Sequence, residues 1–451
     1  MRLGGLAAWA LGALLLAVYL APSGHRPLLV LAGVAGVLLA LTGGLLLRRL
    51  PWLLAFGTLL LAPARVPVTV GSIESNLLVP LYLVIGAAAV AFALELLRGE
   101  PRARELGTAA LPLAAFVAWT GLSLSWAVDL KQGAVQLLFF FLPFGLLAIC
   151  LARLPWRPRL LPWLWLELAA MTVLFAVVGI YQEVARHVFW NPKVIVGNAC
   201  QSFFRVNSLF WDPSIYGRFL VIAILASLVV ARWSRSARTV WIMAGVIGLA
   251  WVGMLFSYSQ TSFASLLVGV LVAGALLAPS FGRRGVSVAI LLLVASLVLV
   301  RPAAAPALPV DAPLADVTSG RGRLIKEGIR IGLHHPVQGV GIGGFRRAYA
   351  DRVGLLGPSP QVASHTTPVT VAAETGIVGL ALLAWLIVAA LSVPFRRVGP
   401  ALRDQASLVL GLTLVAIGVH SLGYNSLFED PLAWAALGLA VLAANAPEGA
   451  A

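Results

Sequence analysis

The sequence predicts an all-α fold: a polytopic transmembrane helical bundle of twelve to fourteen spans, with a long extracytoplasmic loop containing short amphipathic helices. Three observations carry this reading. The chain has 451 residues, 60% hydrophobic and only 11% charged, with a mean hydropathy of +0.96. A soluble domain holds closer to about a quarter charged residues. Apolar runs of about 20 residues recur along the whole length, enough to cross a hydrocarbon core of about 30 Å. The basic residues fall in alternate connections, as a multi-pass chain requires.

The apolar segments run at 4–21, 27–47, 50–63, 77–97, 107–126, 134–152, 160–182, 214–231, 239–257, 261–279, 285–300, 368–392, 406–421 and 432–446. Those at 50–63, 285–300, 406–421 and 432–446 are short, which leaves the span count open. Nothing marks 4–21 as a cleaved leader, because it is one of many such runs and lacks a clear small-residue cleavage site. With the N-terminus in the cytoplasm, every inner connection carries arginine, including Arg48–Arg49, Arg153, Arg232, Arg283–Arg284 and Arg396–Arg397. This obeys the positive-inside rule and puts both termini in the cytoplasm. Three regions follow: an N-terminal bundle (1–300, about eleven spans, with an outer loop at 183–213), an extracytoplasmic loop (301–367) where candidate catalytic residues are sought, and C-terminal transmembrane helices (368–451).

The net charge of +15 arises from 32 Lys+Arg against 17 Asp+Glu. In a greasy chain this points to anionic membrane lipids and a phosphorylated substrate, not to nucleic acid. Cys150 and Cys200 are the only cysteines, and they offer neither a disulfide framework nor metal-ligand spacing.

Two outer segments oppose the charge bias. Residues 183–213 carry Arg186, Lys193 and Arg205, with Arg218 just inside the next helix; residues 301–367 carry eight basic residues. These read either as ordinary solvated loop charge or as an anion site on the outer face. Within the second loop, 303–316 is a Pro/Ala-rich connector. Arg323, Lys326, Glu327 and Arg330 then share one face of a short basic helix suited to the membrane surface, which Gly328 and Gly332 weaken. The GVGIGG run (339–344) lacks the preceding strand and βαβ unit of a dinucleotide loop and reads as a tight turn back to the membrane.

Certain polar residues stand out for chemistry. His365 lies in SHTTP, where Thr366 or Thr367 can cap the following helix and Pro368 fits its first turn. That position favours a neutral imidazole able to accept a proton, and the helix end attracts phosphate; the plainer reading is a loop histidine held by a backbone hydrogen bond. Glu374, two turns into the helix, needs a partner at that depth, either an arginine or the helix backbone. Asp212 reads first as the N-cap of DPSIYGRFL, and Arg218 within that helix calls for Glu374, Asp212 or a substrate phosphate. His334–His335 and His420 rank lower, and Glu429 and Asp430 have no basic neighbours in sequence.

Taken together, Arg321, His335–Pro336, Gly339, Gly341, Phe345, His365, Glu374, Gly376 and Gly379 resemble the hallmark region of the O-antigen ligase and O-antigen polymerase superfamily. FRVNSLFWDPSIYGRFL (204–220) resembles that family's arginine-bearing segment. The resemblance implies a metal-independent, inverting glycosyltransferase of the bacterial inner membrane, with no cofactor. Its donor would be a glycan on undecaprenyl diphosphate. Its acceptor would be a lipid A–core hydroxyl in a ligase, or a second lipid-linked repeat unit in a polymerase. His365 would be the base, and Arg205 with Arg321 or Arg323 would hold the diphosphate. The chain departs from the pattern at Thr366, often Asn in relatives, at Ile325–Lys326, where the usual Trp is missing, and at Gln260, often Arg. The competing class is a lipid-linked glycan transporter, which predicts broken helices and polar residues at mid-membrane.

Overall fold

A computed structural model describes residues 2–20, 26–70, 73–99, 106–200, 203–277, 321–355 and 363–446. The expected span at 285–300 and the connector at 303–316 lie outside the described residues. Sixteen helices are present among those described, numbered here in chain order: α1 (Arg2–Leu20), α2 (Arg26–Arg49), α3 (Leu53–Leu61), α4 (Val79–Leu97), α5 (Gly107–Trp126), α6 (Leu130–Ala152), α7 (Leu160–Ala185), α8 (Pro192–Cys200), α9 (Pro213–Trp233), α10 (Ala237–Ser257), α11 (Gln260–Leu277), α12 (Arg321–His334), α13 (Phe345–Val353), α14 (Thr367–Ser392), α15 (Leu402–His420) and α16 (Pro431–Ala444). Nine of these are long and apolar enough to cross a membrane among the described residues. The protein is a multi-pass, all-α membrane protein.

Two details differ from the sequence reading. The segment 50–63 yields only the nine-residue α3, about half the length a span needs. The stretch after it forms a hairpin, β1 (Val66–Val70) antiparallel to β2 (Ile73–Leu77), with Val66 opposite Leu77. The alternation VPVTV was masked by Pro67 and by the short length of the run. The hairpin carries Arg65 to Glu429: Arg65 Nη2 donates to the Glu429 carbonyl oxygen at 2.8 Å. Glu429, without a basic neighbour in sequence, therefore gains one in space.

The chain divides into two compact units, each built from discontinuous stretches. Unit 1 holds 1–157, 323–393 and 425–445. Here α2 packs on α4 and α16 on α6. Small residues permit the close crossings: a Cβ added at Gly44 would lie 2.7 Å from Val90 Cγ1. Unit 2 holds 158–322, 394–424 and 446–451. Its central element is α9, buried along most of its length and flanked by α7, α10 and α15.

Within unit 1, α12 is amphipathic as its charge spacing predicts, but it is not a lone surface helix. Leu324 and Ile331 join Val340, Phe345, Tyr349 and Ala373 in a buried cluster. Gly328 is where α12 meets α14, since a Cβ there would approach Val369 Cγ1 to 2.7 Å. The glycine that weakens the helix by propensity is thus a contact point.

Candidate active site

In unit 1 the site is built around α14. This helix starts at Thr367, with Thr366 at the N-cap and Pro368 in the first turn. Thr366 makes no side-chain cap bond. Ser364 fixes the entry instead: its Oγ lies 2.9 Å from Thr370 Oγ1 and donates to the Thr366 carbonyl oxygen, also at 2.9 Å. His365 sits between these residues, half-buried, with φ of 67°. A left-handed non-glycine residue costs of order 1 kcal/mol or more and persists only where its surroundings impose it. Thr367 Oγ1, at the helix mouth, is buried without a hydrogen-bond partner.

Nine residues on, α14 is interrupted. Gly376 has φ of 68° and ψ of −167°, a conformation essentially closed to residues with a Cβ. The glycine-rich segment between α12 and α13 closes the gap with its own backbone. The Val340 amide donates to the Ala373 carbonyl oxygen at 3.0 Å, and the Gly341 amide to that of Glu374 at 2.8 Å. The Ile377 amide donates to the Pro336 carbonyl oxygen at 2.8 Å. Trp119 Nε1 donates to the Thr375 carbonyl oxygen at 2.9 Å. The GVGIGG run is therefore a turn, and it also supplies the partners that a broken helix loses. A Cβ at Gly341 would overlap the Ala127 backbone, so the close approach itself demands glycine.

Glu374 is buried beside this break and takes the second of its two expected kinds of partner. The amides of Gly343 and Phe345 donate to its carboxyl, the latter at 3.3 Å to Oε1. These amides open α13, so a carboxylate from one helix satisfies the N-terminus of another. On α12, Glu327 accepts from Arg330 at 2.7 Å and from Arg352 of α13 at 3.2 Å. Partial burial raises the Glu327 carboxyl, but the two guanidinium groups outweigh it and hold the group below its ordinary value. Arg323 is exposed, and Arg321 opens α12 with a side chain outside the described set.

In unit 2, Arg205 rises from a loop held by side chains. Asn198 grips the Arg205 backbone twice, at 2.9 Å through both Nδ2 and Oδ1. Gln182, fully buried, accepts from the Asn207 and Ser208 amides and donates to the Ser208 carbonyl oxygen. Arg205 Nε donates to the Ser257 carbonyl oxygen at 3.1 Å, next to Tyr258, whose phenol burial pushes up. Asp212 is the N-cap of α9, accepting from the Ser214 amide at 2.7 Å.

Arg218 is only 1% exposed, and its Nη1 lies 3.5 Å from His420 Nδ1. A guanidinium only donates, so Nδ1 accepts and the ring proton sits on Nε2, 3.0 Å from Thr261 Oγ1. Thr261, Ser259 and Ser262 extend the network at 3.2 and 2.8 Å. Position in sequence ranked His420 low, because its partner lies 202 residues away. Beside Arg218, the hydroxyl-rich run 257–265 is the sequence signal that could have pointed to this network.

Residues 245–384 match a family model described as O-Antigen ligase. They carry an O-antigen ligase domain. The match spans His365, Glu374 and the glycine run, though not the 204–220 segment that also carried the resemblance, and it supports a place for the chain in the O-antigen ligase superfamily. The comparison with curated proteins gives no match. Among the described residues, no group of three or more His, Cys, Asp or Glu could hold a metal ion.

Proposed function

We propose that the protein transfers a glycan from undecaprenyl diphosphate to a lipid A–core hydroxyl at the outer leaflet of the bacterial inner membrane. The O-antigen ligase match over 245–384 carries this reading. In the proposed step the acceptor oxygen attacks the anomeric carbon of the donor sugar from the face opposite the diphosphate. The carbon–oxygen bond to the diphosphate breaks with inversion, and the hydroxyl proton passes to His365. The departing diphosphate gains negative charge, which Arg205, Arg218, Arg321 and Arg323 stabilise. No metal takes part.

The left-handed backbone and helix-mouth position of His365 support its role as base. Glu374 and Asp212 support the site by holding the ends of α13 and α9. The break at Gly376 is a feature a transporter would also show. Its carbonyl groups, however, are taken up by the chain's own amides and not left along a substrate path.

The test mixes purified protein with undecaprenyl-diphosphate glycan and lipid A–core. Glycan on core is the expected product, blocked by His365→Ala and unaffected by EDTA. Lengthened lipid-linked chains would assign polymerase activity instead. Transfer at the wild-type rate by His365→Ala would overturn the base assignment, and inhibition by EDTA the metal-free one.

A further inference from the structure

Unit 1 holds an apolar groove of about 450 Å³ that the transfer reaction does not use. Ligand sites commonly occupy about 300–1,000 Å³. Its walls are α1, α5 and α6, with Phe92 of α4 at one end. Both α5 and α6 are candidate membrane spans. The lining runs from Leu106 to Val117 on the α5 side and from Phe141 to Arg153 on the α6 side. Each stretch covers roughly 17 Å of helix axis. Half of a hydrocarbon core is about 15 Å. The groove therefore has the length of one leaflet. At its deep end Trp9 of α1 donates from Nε1 to the Leu142 carbonyl oxygen at 3.1 Å, so the indole proton is satisfied. At its other end Gly5 borders open space, since a Cβ there would meet nothing within 4 Å.

One lining residue is charged. Arg153 caps the C-terminal end of α6, with a side chain only 6% exposed. Its guanidinium stacks on Phe92 at 4.6 Å, and Nη2 meets Glu95 Oε2 at 3.3 Å. Nε is buried with no hydrogen-bond partner, so Glu95 does not saturate this cation. Arg153 and Phe92 also line a smaller, polar cleft, whose other charged residues are Arg48 and Glu95. Arg157 stacks on Trp52 at 4.1 Å, next to the Pro51 wall of that cleft. Positive charge thus exceeds negative charge where groove and cleft meet. This is the end that the arginine-rich connections assign to the cytoplasm.

We propose that the groove is a binding site for one anionic phospholipid of the cytoplasmic leaflet. An acyl chain fills the groove, and the phosphate lies against Arg153. The occupant is a phospholipid because the groove is one leaflet long and its only charge is a cation at the cytoplasmic end. The proposed transfer puts the diphosphate of the lipid-linked donor at the opposite face. Glu95 competes with the phosphate for Arg153 and limits the affinity. The inference stands apart from the transfer reaction and holds or fails without it.

Native mass spectrometry tests it on the full-length protein, stripped of lipid in detergent and then offered equal amounts of phosphatidylglycerol and phosphatidylcholine with the same chains. Wild type should retain phosphatidylglycerol severalfold over phosphatidylcholine. Ala114→Phe, which fills the groove from α5, should lose both lipids. Arg153→Gln should bring the two lipids level. Glu95→Gln removes the competing carboxylate and should increase the preference for phosphatidylglycerol, an effect that a purely structural ion pair would not give. Equal retention of the two lipids by wild type would overturn the proposal, as would wild-type retention by Ala114→Phe or an undiminished preference in Arg153→Gln. Displacement of phosphatidylglycerol by an equal amount of undecaprenyl phosphate would give the groove to the donor lipid and overturn it as well. If Ala114→Phe fails to fold, judged by its thermal transition, Gly5→Leu narrows the groove from the α1 wall and decides in its place.

Discussion

The Gly341 amide donates to the Glu374 carbonyl oxygen at 2.8 Å, which places a glycine turn inside the hydrogen-bond ladder of a membrane helix. Two segments separated by more than 30 residues thereby make one continuous backbone surface.

Gly376→Ala should be among the most damaging single substitutions in unit 1. The backbone conformation alone costs about 2–3 kcal/mol for a residue with a Cβ. The added carbon would also collide with the Val337 carbonyl. Thermal unfolding in detergent should show a lower midpoint, and an unchanged midpoint would contradict the break.

Glu374 is assigned to structure, and two substitutions separate that from chemistry. Glu374→Ala leaves the Gly343 and Phe345 amides without an acceptor, at about 1–3 kcal/mol each. Glu374→Gln keeps an acceptor oxygen of similar reach. Stability and transfer should fall with Ala and largely survive with Gln. If Gln abolishes transfer while the thermal midpoint holds, the carboxyl has a chemical role.

The Glu327 linkage predicts a pH dependence of definite sign. Its carboxyl titrates below the ordinary value in the folded chain, so folding disfavours its proton. The stabilisation is complete above the ordinary range, near about 4.3, and is lost as pH falls through the depressed folded value. Glu327→Gln should therefore lower the thermal midpoint at neutral pH, by an amount equivalent to at most about 1 kcal/mol. The gap to wild type should close as the pH falls through that depressed value. A gap that persists in acid would show that packing, not charge, is responsible.

His420→Phe removes the acceptor that faces Arg218 Nη1 and the donor that faces Thr261. A cost of about 1–3 kcal/mol is expected from the groups left behind. Where Arg218 holds substrate phosphate, KM for the lipid-linked donor should rise more than kcat falls. His420→Asn, which keeps one acceptor and one donor, should recover part of both losses.

The spans were legible because apolar runs of membrane length leave little choice. Helix α3 and the Val66–Leu77 hairpin were not, because a nine-residue helix and two five-residue strands look like a short span and a loop. The mouth of α14 could be read from SHTTP, since Pro in the first turn and a polar residue before it are local signals. The interruption at Gly376 could not. In sequence it is one glycine in an apolar run, and only the Val337 carbonyl, 39 residues earlier, shows why it is needed. Glu374 announced that it required a partner, but its choice of backbone amides over arginine depends on where α13 begins. Arg218 likewise signalled a need that position alone could not connect to His420.

The order of synthesis gives the interruption in α14 a further meaning. Residues 336–341, whose backbone closes the gap, leave the ribosome before 373–377, which open it. The strap exists before the seam. A nascent α14 can thus be completed as it enters the bilayer, without bare carbonyl groups waiting on a later part of the chain. Moving the glycine run to a position after α14 would keep every contact partner in the sequence and still lose that protection during biogenesis.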